Sequence, residues 1–336
     1  MINVSIGMVG VALQDGDTPA TTPKIKHGLT GGGLVNPDRS IEQQAVACGV
    51  RANIANTAYV SEVNMGVDFE TLAYADSFGL YALAAMGNVT STAADTTGYY
   101  KHVITLGSSL PKLTFWGQIG DTSQATVHKV DGCKIDELQL SFEGNQPLSA
   151  TVTAAGVDAT MFQSWADVTD PSCFDGYFVP TDGTFKLDTA SQTPLDVTVT
   201  QGNFDLSNSL EAMRGAGQVV PSVLAEGKLT TSVSMTVIPD DFALMRKSLT
   251  GSESGTKISG KAVYGSAEWH FTHSTDPNCT MDVKFENVPW SFEMPEVDPE
   301  GNAAEVEFSA DDVGVSSKDG SPVTITIVNK VQSYTS

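Results

Sequence analysis

Positive charge is what this sequence has least of: 18 Lys and Arg stand against 40 Asp and Glu, a net charge of −22 over 336 residues. A protein that grips phosphates needs a basic footprint, so this balance excludes an ordinary nucleic-acid binder. It does not exclude a surface that a polyanion must pass without sticking, because like charges repel within about one Debye length, roughly 8 Å at physiological salt. Cysteine is also scarce. Cys48, Cys133, Cys173 and Cys279 are far apart with no CxxC pair, which argues against a disulfide framework and for small buried hydrophobes in a reducing compartment. No apolar run approaches the ~18 to 20 residues of a membrane span. The start, Met1-Ile2-Asn3-Val4-Ser5, lacks the basic and apolar segments of a secretory signal, so synthesis and use in the cytoplasm are expected.

Catalytic signatures are missing as well. The sequence contains neither Gly-x-Ser-x-Gly nor a P-loop. Histidines are few, and His270 and His273 lie three apart in an expected strand, so they point to opposite faces and do not chelate one metal; Cys279 nearby does not change this. Adjacent acid pairs such as Asp240-Asp241 and Asp311-Asp312 do not make a glycosidase pair, and Asp240 reads better as a helix cap. Tyr99-Tyr100 and Trp290 lack the interleaved Arg and Lys of a single-strand-binding platform, and Trp290 reads as core. The expectation is a protein without catalytic, cofactor-binding or metal-binding residues.

What is present is period-two alternation. Val63, Met65, Val67 and Phe69 alternate with polar neighbours, and so do Leu138, Leu140 and Phe142. The runs Met281–Phe285, Trp290–Met294, Ala304–Ala310 and Val323–Ile327 repeat the pattern. Strands of this kind bury one face and offer the other to solvent or a partner. Two segments predict short helices with an apolar stripe: Asp76-Ser77 to Gly87, and Pro239-Asp240 to Gly251, each with an acidic start and a terminal glycine.

The chain also echoes itself. Shifting by 164 residues lays Glu62 on Glu226, Asp76 on Asp240 and Gly87 on Gly251. The first half then carries about ten extra residues near Thr90–Tyr100. Beyond them a shift near 155 lays Leu113–Trp116 on Glu268–Phe271 and Thr151–Ala154 on Val306–Ser309. The expected organisation is an N-terminal arm (1–35), a first unit (36–165), a linker or long loop (166–195) and a second unit (196–336), with charges of −7 before residue 166 and −15 after 165.

The segments Asp76–Gly87, Leu110-Pro111-Lys112-Leu113-Thr114 to Gly117, and Gly132-Cys133 to Ser141 resemble the major tail tube proteins of siphophages, the long-tailed phages with non-contractile tails. Glu226–Gly251, Asn287-Val288-Pro289-Trp290 and Ala304–Asp312 look like a second such domain, making a two-domain form. The resemblance spans most of residues 40–330 as an order of elements and turns and not as one diagnostic motif. It implies an all-β fold with minor α: two tandem β-sandwich or barrel domains, each with one short flanking helix. It further implies a structural virion protein whose long strands join edge to edge around a channel for DNA. Three two-domain chains would close a pseudo-six-fold ring, and rings would stack into a tube. The partners implied are other copies of the chain, a tape measure protein, a tail terminator and a distal tail protein, with assembly in the host cytoplasm and no membrane. On strand alternation, the expected lumen-facing residues are Glu62, Asn64, Asp68 and Glu70 in the first domain, Lys228, Thr230, Ser232 and Ser234 in the second, and Glu305 and Glu307. The alternatives left open are another virion β-protein (head–tail connector, distal tail ring or decoration protein), a carbohydrate-binding or glycoside-hydrolase sandwich, and a secreted adhesin.

Overall fold

The computed structural model describes residues 7–45, 57–120, 126–163, 176–191, 193–295, 303–315, 317 and 320–335. The first half contributes β1 (Gly7–Leu13), β2 (Ile25–Gly28), β3 (Gly31–Gln43), β4 (Ala58–Leu72), helix α1 (Phe78–Met86), β5 (Gly87–Ala93), β6 (Tyr100–Leu106), β7 (Leu113–Ile119), β8 (Thr126–Glu143), β9 (Ser149–Gly156) and β10 (Asp158–Gln163). The second half contributes β11 (Phe178–Asp188), β12 (Leu195–Asp196), β13 (Thr198–Ser207), β14 (Glu211–Met213), β15 (Val223–Ala225), β16 (Thr230–Ile238), helix α2 (Ala243–Thr250), β17 (Gly265–His273), β18 (Thr280–Val288), β19 (Ser291–Phe292), β20 (Val306–Ala310) and β21 (Val323–Asn329). The fold is therefore mostly β, with two main antiparallel sheets and two short helices.

One inner sheet runs through both halves in the order β3-β4-β9-β8-β13-β16-β20-β19. Strand β8 belongs to two layers. Its first part pairs with β7 and β10, and from Lys134 onward it pairs with β9 and β13. Gly132 at φ 65° and a register shift between Ile135 and Glu137 turn it from one layer into the other. Two outer layers cover the apolar face of the inner sheet: β2-β1-β7-β8-β10, and the seven-stranded sheet β12-β11-β17-β18-β21-β6-β5. Aromatic rings join the layers, Phe69 to Phe115 at 6.0 Å in one half, and Phe142 to Trp269 at 5.5 Å and Phe204 to Phe285 at 5.4 Å in the other.

The pairing scheme is used twice. β3 on β4, β4 on β9, β1 on β7, β7 on β8 and β10 on β8 recur as β13 on β16, β16 on β20, β11 on β17, β17 on β18 and β21 on β18. Gly87 and Gly251 close the two helices in the left-handed conformation, at φ 94° and 76°. Counting back from these glycines by 164, buried Val67, Phe69 and Thr71 meet buried Thr231, Val233 and Met235. The shift near 155 places the later strands wrongly. Val152 faces Phe69 and Ala310 faces Val233, so Val152 corresponds to Ala310 and not to Glu307. Leu113 and Gly265 each lie at a register break beside Cys133 and Val288, so Phe115 corresponds to Ala267 and not to His270. Both errors are slips of an odd number of residues, which exchange core and solvent faces; the length differences fall in turns, where no alternation fixes the count.

Within the stretch expected to be an arm, residues 7–13, 25–28 and 31–35 lie in strands. β1 pairs along β7 from Gly7–Ile119 to Leu13–Leu113, and Val9 and Val11 are fully buried. Strand β11 likewise occupies much of the expected linker, with Phe178 and Leu187 buried; residues 164–175 lie outside the described residues. The helices differ from expectation too. All nine residues of α1 are buried, so it has no polar stripe, and the α1 N-cap, Ser77, makes no side-chain cap bond. In α2 only Met245 is buried; its N-cap is Phe242, with no side-chain cap bond, and Asp241, not the expected Asp240, accepts the Ala243 N–H at 2.7 Å.

Candidate functional site

Strand alternation divides the inner sheet into two unlike faces. Val67, Phe69, Val152, Leu138, Leu140, Phe204, Val233, Met235 and Phe308 form the buried one. Opposite them, register places Asp68 beside Thr153, Thr153 beside Glu137, Gln139 beside Asp205, Asp205 beside Ser232, and Ser234 beside Ser309. The open face is therefore a continuous field of carboxylates, hydroxyls and amides that crosses from the first half into the second. Side-chain amides tie it across the join: Gln139 Nε2 donates to Asn203 Oδ1 at 3.1 Å, and Asn203 Nδ2 donates to Asp205 Oδ2 at 2.7 Å.

Of the expected residues, Asp68, Glu70, Glu305 and Glu307 are exposed at this face, and Thr230, Ser232 and Ser234 alternate along β16 on the same side. Glu62 and Asn64 lie on the matching side of β4, but the β14–β15 hairpin reaches them. Arg214 pairs with Glu62 at 3.4 Å and donates to Asn64 Oδ1, and the Val63 N–H donates to Val219 O at 2.7 Å. Lys228 lies just before β16 and pairs with Asp312 at 2.6 Å. A third basic side chain on this border, Lys134, pairs with Glu226 at 2.6 Å. Arg214, Lys134 and Lys228 are thus each held by a carboxylate, which leaves Asp68, Glu70, Glu137, Glu143, Asp205, Glu305 and Glu307 to set the sign of the face. Glu137, Gln139, Ser141, Glu143, Asn203 and Asp205 were not among the expected residues. The alternation around Leu138, Leu140 and Phe142 takes in Gln139, Ser141 and Glu143, but their place depends on the β8–β13 pairing between distant segments.

Among the described residues, no catalytic constellation lies on this surface. A depression of about 640 Å³ on this face is lined by Ser141, Glu143, Gln201, Asn203 and Ser234 among others, with no histidine, cysteine or lysine in its lining. Elsewhere, His270 Nδ1 meets Asp282 Oδ1 at 2.6 Å, while His273 is buried and its Nδ1 accepts the Asp276 N–H at 3.0 Å. The two rings therefore serve different local structures, and among the described residues no group of three potential ligands could hold a metal. Burial pushes the Cys279 thiol up to about 11. Cys133 is buried and free; Cys48 and Cys173 lie outside the described residues. Tyr99 donates to Asp276 at 2.7 Å and lies under Lys330, and Trp290 is buried, so both aromatics are structural.

Comparison with individual curated proteins found no match. Comparison with protein families matched residues 4–311 to the phage tail tube protein family. That span covers nearly all of the double pairing scheme, including both helices and the whole inner sheet. The chain belongs to the phage tail tube protein family, and so is a structural component of the virion tail and not an enzyme.

Proposed function

We propose that the open face of the inner sheet is the wall of a DNA channel, and that this chain is the major tail tube subunit of a siphophage, forming rings that stack into the tube through which DNA is ejected. The observation that carries this reading is the continuity of the face: one amphipathic sheet through both halves, acidic and hydroxyl-rich outward, with Arg214, Lys134 and Lys228 at its border each paired to a carboxylate. Such a wall offers phosphates no fixed anchor and repels them at short range.

Strand geometry favours three chains per ring. Eight strands at about 4.8 Å spacing and about 40° tilt span roughly 50 Å of circumference. Two chains would close at a backbone diameter of about 32 Å, which side chains on both walls reduce to about the ~20 Å of a B-form duplex. Three close at about 48 Å and leave clearance. Each half then acts as one tube unit in a pseudo-six-fold ring, and rings stack head to tail. The lumen holds the tape measure protein before DNA, and the tube ends meet the tail terminator and the distal tail protein.

Virions carrying Glu70→Lys together with Glu307→Lys test the wall. Tubes of normal length by electron microscopy, with DNA release slowed several-fold, are the expected result. Release kinetics identical to those of the unaltered virion would remove these residues from the lumen.

A further inference from the structure

The inner sheet ends in two free edges, and the chain contains an internal copy of the joint those edges can make. Within the chain the two halves meet where the second part of β8 pairs with β13, from Glu137–Ser207 to Glu143–Gln201. The repeated pairing scheme assigns each of these strands a counterpart. Gln139 and Leu140 face Thr151 and Ala150, just as Ser291 and Phe292 face Ser309 and Phe308, so β19 corresponds to this part of β8. Asn203 and Phe204 face Ser234 and Val233, just as Gly31 and Gly32 face Glu70 and Phe69, so β3 corresponds to β13. Among the described residues, strands β19 and β3 are the two ends of the inner sheet, each paired on one side only. β3 is 13 residues long, and a free edge of that length is an aggregation hazard unless something covers it.

The helices point to the same occupant. Helix α1 packs on β5, β6 and β8 of its own half, and the other half adds to its cover: Asn208 Nδ2 donates to Ala85 O at 3.0 Å, and the Tyr334 ring packs on Gly79. Its counterpart α2 belongs to the half that supplies β19, and of its residues only Met245 is buried. Phe242 is 54% exposed and Leu249 38%, and Ile258, 77% exposed, lies beside Leu249 because the Ser259 N–H donates to Leu249 O. An edge strand and exposed apolar side chains at and beside α2 therefore occur together, where the internal joint has a paired edge and a buried helix.

We propose that β19 of one chain pairs antiparallel with β3 of a second copy, in the register of the β8–β13 joint, and that this contact covers α2 as the internal joint covers α1. The register is specific. The pair Ser141–Asn203 becomes Glu293 against Gly31, and Gln139–Asp205 becomes Ser291 against Leu34. Met294, 57% exposed, takes the place of Phe142, which is buried against Trp269 and Phe271. The proposal rests on the ring reading and gives that ring its chain-to-chain contact.

Cysteine cross-linking tests it on the full chain. Two variants that each add one cysteine to the native four, Glu293→Cys and Gly31→Cys, are mixed, assembled and oxidised, with the unaltered chain as the control for the native thiols. Ser291→Cys with Leu34→Cys provides a second in-register pair should Gly31→Cys not fold. Disulfide-linked dimers are expected from both in-register pairs and only in assembled material. The crossed pairs, Glu293→Cys with Leu34→Cys and Ser291→Cys with Gly31→Cys, are expected to yield several-fold less. Tubes that form without these cross-links, or that favour the crossed pairs, overturn the register and leave the tube reading standing. Failure of the unaltered chain to form rings or tubes overturns both.

Discussion

His27 shows how one buried side chain sets a condition on the whole fold. It is fully buried; its Nδ1 lies 2.9 Å from Gly28 O and its Nε2 meets the Tyr81 hydroxyl, with the Phe69 and Tyr74 rings close by. Donation by Nδ1 to the carbonyl and acceptance by Nε2 from the phenol satisfy a neutral ring, which leaves no place for a second proton. Burial holds its pKa down to about 4, against 6.5 when unfolded. Between those values the unfolded chain binds the proton and the folded chain does not, so stability falls as pH drops from about 6.5 to about 4 and then levels. The full loss is roughly 3 kcal/mol. His27→Gln is expected to lower the melting temperature at neutral pH but to flatten its decline across that window. An equally steep decline in the variant would assign the acid sensitivity to other groups.

At the scale of elements, the two helices share one pattern but not one environment. Phe242 stands exposed at the start of α2, so Phe242→Asp costs the isolated chain little, within about 0.5 kcal/mol for an exposed site. Covering such a ring on assembly contributes about 1.5 to 3 kcal/mol, so the variant's critical concentration for tube formation is expected to rise about tenfold or more. Sedimentation and melting curves taken together decide this; a lowered melting temperature with unchanged assembly would place Phe242 in the fold and not in the contact. The sequence shows both helices because Gly87 and Gly251 end them in the left-handed conformation, but nothing local distinguishes an α1 buried by residues as distant as Asn208 and Tyr334. Strands such as 63–69 and 323–327 are legible because one face is buried and the other is not. β1 is not legible, since its apolar run Gly7–Leu13 has no clean alternation, and β11 is broken at Asp182, where φ is 60° and the register shifts. The same limit applies to the site. Alternation puts Asp68, Glu70, Ser232, Ser234 and Glu307 on outward faces, but only the pairing of β8 with β13 makes those faces one surface. The capture of Glu62 and Asn64 by Arg214 comes from a hairpin insertion, which no strand pattern announces.

For the whole molecule, charge opposes association. Each chain brings a net −22 to any ring, so self-assembly works against long-range repulsion that salt relieves. The Debye length shortens from about 30 Å at 0.01 M salt to about 8 Å at 0.15 M. The critical concentration for tube formation, measured by light scattering, is expected to fall severalfold over that range; a flat or rising dependence would mean that short-range ion pairs between chains outweigh the repulsion. The shared inner sheet has a consequence of another kind. In a ring of three such chains every second joint is β8 on β13, made while the chain folds and held by covalent connection. Such a joint loses no translational or rotational freedom when the ring closes, a loss that separate subunits would meet at every contact. The two halves are also free to diverge, and the charges of −7 and −15 show that they have. In such a ring the proposed wall would repeat with three-fold symmetry, Asp68, Glu70, Glu137 and Glu143 of one half alternating with Asp205, Glu305 and Glu307 of the other, an alternation that a ring of identical single-unit chains cannot have.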